Sequence, residues 1–257
     1  MDLRETRWRA REIKFLANAS MRPALVEWAR THLEPDGHGT GVHADEYATS
    51  TLYFETKDFD VYRRRGSYGR SKYRVRQYGG SNVVFLERKF RTERLLAKRR
   101  TIVPISDLDR LAADTPDRSW DGFWFHRRIA LRRLRPLIQL SYDRVARIGA
   151  SSTGPVRLTL DTNLRALPLP DCAFLPGIGL PFLEGFCVME VKYRVSIPAI
   201  FRQLMETFGL QVQKMSKFRS GMRALDYPLP PDPNELVPVP VGVGTSFGAD
   251  ESGAFAD

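Results

Sequence analysis

Ser71-Lys-Tyr-Arg-Val-Arg-Gln-Tyr78, the Gly79-Gly80 turn and then Asn82-Val-Val-Phe-Leu-Glu-Arg-Lys-Phe90 form the stretch whose reading decides the fold. Side chains at i and i+2 share a face of a strand, so Arg74 and Arg76 point one way while Tyr73 and Val75 point the other. Two such runs joined by a glycine turn predict an antiparallel hairpin. The same charged spacing recurs outward along the chain in Glu12 and Lys14, Glu87 and Lys89, Lys98 and Arg100, Arg157 with Thr159 and Asp161, and Glu190 and Lys192. A solvated sheet face ordinarily mixes small polar residues with charges. Here arginine and lysine recur with few carboxylates over six strands, which weakens the alternative of an ordinary solvated face; if the sheet closes on itself with the charged face inside, it forms a barrel with a wet, positive interior.

Further strands are expected over 11–16, 47–54, 94–103, 136–145, 155–162 and 182–194. Helices are expected over 21–32 with Ser20 as N-cap, within about 106–135, over 197–208 and over 216–225. The fold class is therefore α+β, an antiparallel β-barrel with peripheral helices. Residues 1–226 form the expected domain, and the Pro-rich stretch 227–257 an extended or disordered tail. The segment 34–45, with Gly37, Gly39 and Gly41, reads as a loop; its GxGxG spacing opens no clear helix and is not a nucleotide fingerprint.

Forty Lys+Arg against thirty Asp+Glu, a formal charge of +10 over 257 residues, call for an anionic partner. No apolar run suffices to span a bilayer and the N-terminus lacks a signal-peptide core, so a cytoplasmic location is expected. Cys172 and Cys187 are isolated and read as ordinary thiols, and three of the four histidines sit at the glycine-rich loop, which argues against a zinc site. Arg supplies bidentate donors to phosphate and Lys a mobile charge, a lining suited to successive phosphoryl groups. Inward carboxylates could serve a divalent ion bridging phosphate oxygens, with Glu190 and Glu87 as candidates; balancing neighbouring cations is the alternative role.

Eight blocks in order, Glu12-Ile-Lys14-Phe, Thr49-Ser-Thr-Leu-Tyr-Phe54, Lys72-Tyr-Arg-Val-Arg-Gln-Tyr-Gly79, Phe85-Leu-Glu-Arg-Lys89, Ser141-Tyr-Asp-Arg144, Val156-Arg-Leu-Thr-Leu-Asp-Thr162, Val188-Met-Glu-Val-Lys192 and Ser216-Lys217-Phe, resemble the VTC domain of polyphosphate polymerases. That family lies within the triphosphate tunnel metalloenzyme, or CYTH-like, superfamily. The resemblance implies transfer of the terminal phosphoryl group of ATP to a growing polyphosphate chain, with Mn²⁺ or Mg²⁺. It implies Arg74, Arg76, Lys89, Arg144, Arg157 and Lys217 at the reacting phosphates, Glu190 as metal ligand, and Lys14, Lys98 and Lys214 as further phosphate-holding residues. The strand spacing adds Arg100 and Lys192 to that lining. The family's eukaryotic polymerase subunits carry a regulatory domain and transmembrane helices that this sequence lacks. A triphosphate or nucleoside triphosphate hydrolase of the same fold, or a non-catalytic polyphosphate-binding module, is therefore the alternative. The reduced Glu12-Ile-Lys14 motif, with Arg11 rather than an acid nearby, favours the polymerase type. Nucleic acid is the disfavoured partner, although Arg63-Arg-Arg-Gly-Ser-Tyr-Gly-Arg70 interleaves cations with tyrosine. A membrane partner is left open.

Overall fold

The computed structural model describes residues 11–91 and 96–229. In chain order it runs β1 (Arg11–Asn18), α1 (Arg22–His32), β2 (Glu34–Pro35), β3 (Glu46–Glu55), β4 (Ser71–Tyr78), β5 (Val83–Arg91), β6 (Leu96–Pro104), α2 (Phe123–Leu131), β7 (Arg135–Ser151), β8 (Gly154–Pro168), β9 (Leu180–Pro181), β10 (Phe186–Tyr193), α3 (Ala199–Thr207) and α4 (Lys217–Ala224). Every pairing is antiparallel, along the order β1-β10-β8-β7-β3-β4-β5-β6, with β2 added on β7 and β9 on β8.

The alternation that predicts the strands also places the cores. Phe15, Met189, Val191 and Leu158 turn outward from β1, β10 and β8, and are buried with Leu25 and Ala29 of α1 and Phe201 and Leu204 of α3. On the other half of the sheet, Leu52, Val75 and Leu86 are buried with Phe125 of α2, whose ring meets Phe54 and Tyr73 edge-on at 5.5 and 5.8 Å. Each such side chain contributes roughly 1.5–3 kcal/mol on leaving water, so the helices are held on the outside of the sheet by apolar burial. The strands' other faces remain for the charges.

Several expectations are refined. The stretch 106–135 is not one helix: a 3-10 helix, Ile105–Ala112, and α2 are separated by residues that include Pro116 and Gly122, where turns displace helix. Ser20 does not cap α1. Asn18 accepts from the Ser20 amide at 2.9 Å to cap a short 3-10 turn, and Pro23 opens α1 behind it. β7 and β8 extend well beyond their predicted ends because each continues the other's ladder around the turn at Ser151 and Gly154. The packed chain runs past Asp226: Tyr227 and Leu229 lie against the larger core, Tyr227 edge-on to Phe59. The rest of the expected tail lies outside the described residues.

The pairing path is open. β1 and β6 are its two ends, and the expected closure into a barrel is not made by backbone hydrogen bonds among the described residues. The sheet nevertheless curls, as twisted antiparallel sheets do, until Lys89 of β5 donates to Glu12 of β1 at 3.1 Å, 77 positions away in sequence. α4 lies against β7 and β8, where a Cβ at Gly221 would stand 2.5 Å from Leu140 Cδ2; glycine allows that approach.

Candidate functional site

Strand register turns the sequence spacing into rungs. Lys72, Lys89 and Lys98 face one another directly across β4, β5 and β6. One step along, Tyr53, Arg74, Glu87 and Arg100 form the next rung across β3 to β6. On the other half of the curled sheet, Lys14, Glu190 and Thr159 align across β1, β10 and β8, and Glu12, Lys192 and Arg157 lie beside them. Lys217 enters from α4. Like charges placed opposite one another across a ladder are destabilising unless something answers them.

Four carboxylates answer part of the charge. Glu87 is fully buried and accepts from Arg74 Nε at 2.7 Å and Arg100 Nε at 2.6 Å, with Lys98 Nζ also at 2.6 Å. Asp161 receives Arg144 in a bidentate pair, Nε at 2.6 Å and a terminal nitrogen at 2.7 Å, and Lys217 at 2.6 Å. Glu190 lies 2.8 Å from Lys217 and 3.2 Å from Lys14, and Glu12 lies within 3.5 Å of Lys14, Lys89 and Lys192. Burial opposes ionisation of Glu190 and Glu87, yet the surrounding cations hold both carboxyls well below the usual range. Two buried threonine hydroxyls on this face, Thr49 Oγ1 and Thr159 Oγ1, have no hydrogen-bond partner among the described residues. Buried polar atoms are ordinarily satisfied, so these leave acceptor and donor capacity for a bound group.

Three lysines stay under-neutralised, two of them in spite of their carboxylate partners. Burial together with Lys14, Lys89, Arg64 and Arg219 pushes the Lys72 ammonium down to about 7. Burial, with Arg100 and Arg74 beside it, brings Lys98 to about 7 despite Glu87, and Lys192 falls to about 8. These lysines are protonated below those values and neutral above them, and a phosphate chain favours the protonated form. Tripolyphosphate affinity is therefore expected to fall between pH 6.5 and 9. Lys72→Arg, whose guanidinium stays charged, is expected to flatten the fall, and calorimetric titration of both proteins across that range cancels the ligand's own titration.

The structure brings together Lys14, Arg74, Arg76, Lys89, Lys98, Arg100, Arg144, Lys192, Lys217, Glu190 and Glu87 on or against one face. Arg76 donates to Thr51 at 3.1 Å and is 6% exposed. Arg157 shares that face but is tied to Asp36 at 2.6 Å and Tyr47 at 3.1 Å. Lys214 is exposed, on the segment leading into α4. Lys72, Glu12 and Asp161 were not among the site residues read from sequence. Lys72 could have been found two places before Arg74 on the same face; the roles of Glu12 and Asp161 depend on strands far away in the chain. Cys172 and Cys187 are free, as expected.

Among the described residues no group of three or more His, Cys, Asp or Glu is arranged to hold a metal ion. Glu12 and Glu190 do converge on one point, the Lys14 ammonium. Magnesium-type sites use one or two carboxylates completed by phosphate oxygens, so Glu12 and Glu190 are the residues that could hold such an ion, in exchange for the lysines that their oxygens now meet. Glu87 is enclosed by three cations.

A curled antiparallel sheet with rungs of cations on its inner face, backed by outer helices, defines an α+β protein with a cationic, sheet-lined groove. The chain belongs to the VTC domain family, whose match spans residues 9–226. Among solved structures it is similar to the Bacillus halodurans protein bh2851, described as a candidate adenylate cyclase, at 14% identity and TM-score 0.49 over 82% of this chain and 95% of that one. It is also similar to the Hippeastrum protein HpAC1, described as having a dominant triphosphatase activity, at 12% identity and TM-score 0.47 over 88% and 97%. A third is PH1819 from Pyrococcus horikoshii, at 12% identity and TM-score 0.44 over 84% and 100%. No curated protein matches the sequence. No helix among the described residues is long and apolar enough to cross a membrane.

Proposed function

We propose that the curled sheet acts as a tunnel for a linear phosphate chain, and that the protein transfers the terminal phosphoryl group of ATP to polyphosphate. The observation that carries this reading is the register: Lys72, Lys89 and Lys98 make one cationic rung and Arg74, Glu87 and Arg100 the next, so the inner face offers repeated charge along a line rather than one anion pocket. Repeated charge suits a repeated ligand.

In phosphoryl transfer, charge gathers on the equatorial oxygens and catalysis is mostly positioning and electrostatic stabilisation. Arg74, Arg76 and Lys217 are the fixed donors for those oxygens. Asp161 and Glu190 set the position of Lys217 through their ion pairs, and Asp161 also holds Arg144 in one orientation. Glu12 and Glu190 would hold Mn²⁺ or Mg²⁺ with the phosphates, and the ion would neutralise charge on bridging oxygens. Glu87 serves to keep Arg74 and Arg100 in register. No side chain needs to form a covalent intermediate.

Incubation with ATP and either ion, with ADP, free phosphate and polyphosphate measured together, tests the proposal. ADP accompanied by lengthening polyphosphate is expected. Free phosphate without polymer would replace the polymerase with a triphosphate hydrolase, and binding without turnover would leave a polyphosphate-binding module.

A further inference from the structure

We infer that an arginine-rich surface outside the tunnel, made by Arg63, Arg64, Arg65 and Arg70 with Arg132 and Arg133, is a second polyanion site that holds the part of a polyphosphate chain lying beyond the sheet. The choice of ligand rests on the function proposed above; the surface itself rests on separate observations.

Arg63, Arg64, Arg65, Arg70 and Arg133 are exposed. They belong to two segments far apart in sequence that are locked together: Arg132 donates to Ser67 Oγ at 3.2 and 3.3 Å, its guanidinium lies 4.1 Å from the centre of the Tyr68 ring, and the Tyr68 hydroxyl donates to the Arg132 carbonyl at 3.2 Å. The buried Arg132 Nε has no hydrogen-bond partner among the described residues. Arg64 and Arg133 both adopt left-handed backbone, with φ of 54° and 50°, a conformation uncommon for residues other than glycine. The surface is thus a built one. Its carboxylates are few: Asp60 lies 3.5 Å from Arg65, and Asp58 is exposed nearby.

The patch runs into the tunnel lining. The 3-10 turn Gly66–Arg70 leads directly into β4, whose second residue is Lys72, and Arg64 and Arg219 are among the cations that act on the Lys72 ammonium. A chain leaving the rung of Lys72, Lys89 and Lys98 on that side meets arginine next. The tyrosines that could stack on nucleic-acid bases are already engaged. Tyr62 is fully buried with Arg219 over its ring at 4.5 Å, and Tyr68 has Arg132 against its ring. Cations without free aromatic faces favour a polyanion that has no bases.

The test compares wild type with the R63Q/R65Q/R70Q/R133Q variant for binding of long-chain polyphosphate, tripolyphosphate, single-stranded DNA and phosphatidylserine vesicles. Long-chain affinity is expected to fall about tenfold, with a shallower salt dependence, while tripolyphosphate affinity and melting temperature stay unchanged. Equal loss for both phosphate ligands, or no loss for either, would overturn the inference. So would a selective loss of DNA or vesicle binding with polyphosphate affinity intact. Wild type that fails to bind tripolyphosphate would instead overturn the tunnel reading, because that short ligand reports on the tunnel and the difference between variants reports on the patch.

Discussion

Glu190→Gln is expected to lower ATP turnover about 100-fold or more while tripolyphosphate affinity holds or rises. Glutamine keeps the shape of the side chain but removes the charge that lies 2.8 Å from Lys217 and 3.2 Å from Lys14. Those two ammonium groups then lose their common anchor, and the carboxylate pair with Glu12 is broken. Binding does not suffer in the same way, because removing a negative charge from a basic lining favours an anionic ligand. The split between rate and affinity is the diagnostic. Initial rates, calorimetric affinity and melting temperature would be measured on one preparation. Turnover within tenfold of wild type, or a rate loss matched by loss of folding, would reduce Glu190 to a structural counter-charge.

Asp161→Asn carries the largest expected effect on stability. Asp161 is completely buried and holds both Arg144 and Lys217, which are themselves almost fully buried. Breaking a buried pair by neutralising one partner costs about 3–5 kcal/mol, because the remaining charges stay desolvated. A drop in Tm of about 6–20 °C follows for a domain of this size. Arg144 and Lys217 keep the Asp161 carboxyl below its ordinary range despite burial, so its contribution is fully present above the unfolded value near 4 and is lost as pH falls below it. Tripolyphosphate is expected to raise the Tm of the variant more than that of wild type, since the ligand supplies anions to the exposed need. Thermal melts with and without the ligand decide it. A variant as stable as wild type would show that Arg144 and Lys217 find other partners.

Much of the fold was legible because antiparallel strands write their two faces into a period of two. Tyr73, Val75 and Leu86 against Arg74, Arg76 and Glu87 could be read residue by residue, and the helices that cover the apolar face followed from their own spacing. Boundaries were less legible where local preference met tertiary pairing: β7 and β8 run on because each offers the other a ladder, and Tyr227 is held by a core that its proline-rich neighbours do not announce. The site divides along the same line. That Arg74 and Arg76, Glu87 and Lys89, and Glu190 and Lys192 each share a face of their own strand was visible in i and i+2 spacing alone.

The amino-acid sequence by itself determined the strand alternation, the sign of the inner face and the excess of cations over carboxylates, since each depends on residue type and short-range geometry. Only the tertiary structure decided that Lys72, Lys89 and Lys98 form one rung, that Glu12 meets Lys89 and that Asp161 rather than solvent receives Arg144 and Lys217. Register and curl bring together groups separated by tens of residues, and no local preference encodes which of them will meet.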